Sequence, residues 1–101
     1  MEKDFKLIGD LNYSEGGIIS KVLFKGEKNQ ITLFSMAKGT EISEHATTKE
    51  GFVYVIEGEG IFNLQSVKID MKPRVLIPLA KGTKHSLSVS GNTSFLLFLN
   101  M

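Results

Sequence analysis

Residues Gly39 to Gly60 read GTEISEHATTKEGFVYVIEGEG. The run Phe52 to Ile56 inside it is β-branched and aromatic, which suits a strand. A short segment, Ile42 to Ala46, comes before it and carries His45 near its end. Gly58-Glu59-Gly60 follows it and reads as a tight turn, with Gly58 and Gly60 allowing positive φ and Glu57 and Glu59 solvated beside it. The second histidine, His85, lies in PLAKGTKH, three residues after Gly82. The chain has no other histidine. Each histidine follows a glycine and sits by the end of a strand pattern. A fold that gathers those strand ends makes one pocket with two imidazoles in it.

Outward from this stretch the chain repeats short strand patterns. Ile18 to Phe24 and Ile31 to Ala37 are apolar runs joined by KGEKNQ, the pattern of a hairpin. Ile61 to Leu64 reads as the partner returning from the Gly-Glu-Gly turn. Val67 to Met71 alternates apolar and charged residues, the period of a half-buried strand. Val75 to Ile77 is a short apolar strand stopped by Pro78. Lys84 to Val89 alternates again, with His85, Leu87 and Val89 on one face. Ser90-Gly91-Asn92 reads as a turn before a last strand, Thr93 to Leu99. No window carries helical periodicity with a capping residue. Many short strands punctuated by glycine or proline predict an all-β sandwich or barrel, in one domain spanning residues 1–101. Residues 1–16 are irregular, and Phe5, Leu7 and Ile8 are expected to pack on the body.

The bulk composition narrows the function. The chain has 101 residues and a net charge of +1, with scattered lysines, so it presents no field for nucleic acid or an anionic membrane. No apolar run approaches the roughly 20 residues of a membrane helix. With no cysteine there is no disulfide, thiolate metal site or cysteine nucleophile. The expected location is the cytoplasm. The Gly-Glu-Gly segment has no helix after it, so the dinucleotide fingerprint fails.

These residues resemble the cupin superfamily. Its first motif, G-x5-H-x-H-x3-E-x6-G, matches at Gly39, His45 and Gly58. Its second, P-x-G-x2-H-x3-N, matches at Gly82 and His85, with Pro78 two residues further upstream than the pattern places it. The resemblance covers Gly39 to Val89 and implies a double-stranded β-helix, or jelly-roll barrel. It also implies a divalent transition metal (Zn, Ni, Fe, Mn or Cu) held by motif residues. The chain departs from that ligand set. Thr47 stands at the second histidine position, Gly51 at the glutamate position with Glu50 beside it, and Val89 at the asparagine position. His45 and His85 remain, and Glu50 is the candidate third ligand; Glu44 is the alternative, although strand alternation turns it away from the side His45 faces.

Three functions follow. The favoured one is a small-molecule-binding barrel whose pocket is built from His45, His85, Thr47, Val53, Val55, Leu87 and Val89: apolar walls with few convergent polar groups. The second, which the resemblance implies, is a metal-dependent enzyme with dioxygenase- or isomerase-like chemistry at His45, His85 and a nearby carboxylate. The third is a non-catalytic structural or regulatory barrel. Phe52, Tyr54 and Ile56 occupy one face of the central strand and Val53 and Val55 the other, so burial is expected on both faces. The resemblance implies that the outer face packs on a second copy, giving a homodimer. Met36 and Met71 are expected as core filler.

Overall fold

The structure, a computed structural model, describes residues 8–9 and 11–101. The expected packing of Phe5 and Leu7 lies outside the described residues, and Ile8, expected to pack with them, is exposed. Among the described residues, seven strands form one antiparallel sheet: β1 (Ile18–Lys25), β2 (Asn29–Met36), β3 (Glu41–Ala46), β4 (Glu50–Leu64), β5 (Val67–Asp70), β6 (Leu76–Leu79) and β7 (Lys84–Asn100). The fold is all-β, as the alternating patterns predict.

Two long strands organise it. β4 and β7 pair with each other along almost their whole lengths. The later half of β7, Thr93 to Asn100, lies between β2 and the early half of β4, and β1 and β6 flank this layer. The early half of β7 lies between β3 and the later half of β4, with β5 beyond. Both layers send side chains into one core. Met36, Val53, Val55, Ile77, Leu79 and Phe95 come from the first layer; Phe62, Leu87 and Val89 come from the second. Met71 joins them and, like Met36, is fully buried. The rings of Phe34 and Phe95 stack at 5.1 Å where β2 meets β7.

The layers join at a bend, and here the structure corrects the sequence reading. Gly58-Glu59-Gly60 and Ser90-Gly91-Asn92 are not hairpin turns. They are matched irregularities in two continuous strands, where the β4–β7 register shifts between Val55 and Gly60. The buried Thr93 side chain takes up the freed backbone groups. Its Oγ1 accepts the Glu59 N–H at 3.1 Å and donates to the Gly91 carbonyl at 3.0 Å. Gly58 and Gly60 do not have positive φ. They are required for space: a Cβ on Gly58 would lie 2.7 Å from Thr93 Oγ1, and one on Gly60 would lie 2.7 Å from the Ser88 carbonyl oxygen. Among the motif glycines, positive φ occurs instead at Gly39 and Gly82, the two that precede the histidines.

Two further expectations change. Pro78 does not stop a strand but lies inside β6, opposite Phe52. Proline is tolerated there because, among the described residues, β6 pairs only with β4 and needs no ladder bond on its other side. The early half of β4 is buried on one face only. Val53 and Val55 are buried, whereas Phe52 and Tyr54 on the opposite face are each 36% exposed.

Candidate functional site

His45 and His85 are direct partners across β3 and β7. β3 reaches this register through a β-bulge. Between the pairs Ile42–Leu87 and His45–His85, β3 has Ser43 and Glu44 where β7 has only Ser86. A regular strand puts residues three apart on opposite faces. The extra residue cancels that alternation, so Ile42 and His45 both face the barrel interior.

Both rings are held the same way. His45 Nδ1 lies 2.9 Å from the Ser43 carbonyl oxygen, and His85 Nδ1 lies 3.1 Å from the Thr83 carbonyl oxygen. A carbonyl only accepts, so each Nδ1 carries the proton and donates it. In a neutral imidazole the other nitrogen then presents a lone pair. Neither Nε2 has a hydrogen-bond partner among the described residues, and neither is a sealed-off polar atom. The two rings meet edge to face with centroids 4.2 Å apart. His85 is 7% exposed and stacks on Phe62, with centroids 5.6 Å apart and planes 9° from parallel. His45 is the exposed partner. Burial pushes the His85 imidazole below its ordinary pKa; the nearby His45 acts in the same direction, and the bond to Thr83 opposes both.

The histidines stand between two chambers. The inner one, about 50 Å³, is walled by Phe34, Ile42, Val53, Phe62, Leu87 and Phe95. The outer one, about 340 Å³, is bordered by Ala46, Thr47, Thr48 and Leu99. His45, His85, Leu79 and Leu97 line both. Of the residues expected at the pocket, Val53 and Leu87 line the inner chamber, and Thr47 lines the outer one. Val55 and Val89 share the inward faces but lie in the core, away from either lining. Glu50, the candidate third ligand, is an exposed residue at the start of β4, paired in register with Asn100. No group of three or more His, Cys, Asp and Glu side chains placed to hold a metal ion occurs among the described residues. Sequence reasoning did not find Ile42, Phe62, Leu79 or Leu97. Ile42 carried a signal, the one large apolar residue in β3. The carbonyls that hold the rings, each two residues before its histidine, have no side-chain signal at all.

The family model described as the cupin domain matches residues 32–100. No curated protein matches the chain. Among solved structures, a cupin superfamily protein from Desulfitobacterium hafniense DCB-2 is 23% identical, with a TM-score of 0.83 over 90% of this chain and 84% of that one. A conserved protein of unknown function from Streptococcus pyogenes is 19% identical, with a TM-score of 0.80 over 96% and 90%. A cupin 2 conserved barrel domain protein from Leptotrichia buccalis is 26% identical, with a TM-score of 0.84. That match takes in 96% of this chain and 47% of the other.

Proposed function

The chain belongs to the cupin family, and on that premise we propose that it is a small-molecule-binding cupin whose pocket centres on His45 and His85. The observation that carries this reading is the pair of imidazoles at the neck between an apolar inner chamber and a wider mouth, each with its Nε2 unclaimed. Apolar walls supply affinity, and the few polar atoms supply orientation. Thr47 sits at the mouth, where its carbonyl also accepts from Gly82 N–H and ties the two motif loops together at 2.8 Å.

The donor set does not fit a resident catalytic metal. Such sites ordinarily use three protein ligands with an open position, or two histidines and a carboxylate. Here two imidazole nitrogens are available, and Glu50 does not join them among the described residues. The proposed binding module therefore needs no metal; its proposed location is the cytoplasm, in keeping with a chain that has no cysteine.

It also includes a homodimer. The outer face of the first layer carries Phe52 stacked on Phe98 at 5.0 Å, with Tyr54, Leu76 and Leu96 beside them. Leu76 is 57% exposed in the single chain. A contiguous apolar face of this kind marks an interaction surface.

The test is a ligand screen by thermal shift on chelator-treated protein, comparing wild type with His45→Ala/His85→Ala. Hits that stabilise wild type and not the double variant support the pocket. Equal stabilisation of both would place binding elsewhere.

A further inference from the structure

The two chambers constrain ligand chemistry more tightly than the presence of a pocket does. Each Nδ1 proton is committed to a backbone carbonyl, so in their neutral form both imidazoles offer the cavity an acceptor rather than a donor. Among the described residues neither lining contains a charged side chain: the inner wall is aliphatic and aromatic, and the outer one adds only the threonine hydroxyls as polar groups. A carboxylate or phosphate entering the neck meets two lone pairs and no countercharge. An ammonium finds acceptors but no carboxylate. The anion loses hydration that no donor replaces, and the ammonium keeps a charge with no countercharge, costs that work against unpaired charge in apolar sites. A neutral hydroxyl loses little and gains an N···H–O bond.

The inner chamber then sets the size. A water needs about 10–15 Å³ of such space, so about 50 Å³ admits roughly three to five non-hydrogen atoms. The head group stops at the neck, where Leu79 and Leu97 line both chambers beside the two histidines and the inner space is too small to take it as well.

We infer that the pocket selects a neutral hydroxyl compound, with a short branched or linear apolar tail of about three or four carbons in the inner chamber and its hydroxyl donating to the paired imidazoles. This inference rests on the binding-pocket reading above and narrows it to one ligand class. The rest of the ligand extends into the mouth, where Thr47 and Thr48 are available to it.

Three probes with the same isopropyl tail separate the possibilities: isobutanol, isobutyrate and isobutylammonium. Each is titrated into chelator-treated protein at about pH 8, above the ordinary imidazole range. NMR follows the methyl groups of Val53 and Leu87 and the ring nitrogens of His45 and His85. Nε2 is expected to be the unprotonated nitrogen in both free rings. Isobutanol is expected to bind at least about tenfold more tightly than either ion and to move both Nε2 signals. A smaller margin, or an ion that binds as tightly, would overturn the ligand class and leave the pocket standing. Protonated Nε2 nitrogens in the free protein would overturn it too, since the rings would then be donors. If no probe moves the lining residues, the pocket and the ligand class fall together.

Discussion

Gly58→Ala tests the bend that brings the histidines together. The added Cβ would lie 2.7 Å from Thr93 Oγ1 and closer still to the Thr93 methyl. Thr93 is fully buried and cannot swing away, and its hydroxyl satisfies both Glu59 N–H and the Gly91 carbonyl. Forcing a methyl into such packing costs about 1–3 kcal/mol. Displacing the hydroxyl adds about 1 kcal/mol for the weakened bonds. The reduced freedom of the unfolded alanine chain returns about 0.4–1 kcal/mol. The net loss is about 1–3.5 kcal/mol, and at its centre, about 2 kcal/mol, it lowers the melting temperature by roughly 8–16 °C in a domain of this size. Urea denaturation followed by circular dichroism measures it. Adding Thr93→Ser removes the offending methyl, keeps the hydroxyl and should recover part of the loss. A Gly58→Ala protein as stable as wild type, or a double variant no better than the single one, would refute the steric account and return Gly58 to the role of a turn glycine.

Three other expectations follow from the same geometry. His85 has a lowered pKa when folded, so the unfolded chain takes up its proton first as pH falls. Its contribution to stability is complete above 6.5 and is lost downward from there to the folded value; urea midpoints between pH 7.5 and 5 should fall more steeply for wild type than for His85→Gln, and parallel curves would contradict the burial argument. Tyr13 donates to the Glu57 carboxylate at 2.6 Å and meets the buried Ser94 hydroxyl at 2.7 Å, and burial first, then the carboxylate, push its phenol up to about 12. Tyr13→Phe should cost about 1–2 kcal/mol in urea denaturation and remove the high-pH component of the tyrosinate absorbance titration; an unchanged titration would show that the phenol is not held there. Phe52→Lys breaks the exposed aromatic stack of the outer sheet face, so sedimentation velocity should find a dimeric wild type and a monomeric variant; identical sedimentation would remove this face as the dimer contact.

The residues that were legible and those that were not divide along a physical line. Period-two alternation revealed the strands and the inward face of His85, Leu87 and Val89, because alternation is a property of side chains. Gly39 and Gly82 stood out before the two histidines, and both do occupy positive φ. Gly58 and Gly60 looked the same in sequence and do something else. A missing Cβ permits either a rare backbone angle or a close approach, and the letter G does not say which. Two bends were therefore read as two turns, and two long strands as four short ones.

The larger gap is at His45. Its place in the motif identified it, but motif spacing does not put its ring in the pocket. In an unbroken strand the alternation from the inward-facing Ile42 would turn His45 to the outer groove, alongside Ser43, Ser86 and Asn63. The extra residue at Ser43–Glu44 reverses this, and nothing in those two polar residues announces a bulge. The bulge also places the Ser43 carbonyl against His45 Nδ1, matching Thr83 and His85 on the facing strand. The tautomer of each ring, and with it the acceptor character of the neck, is thus fixed by backbone geometry. This is why the identity of the two histidines could be read from the chain while the chemistry they present to a ligand could not.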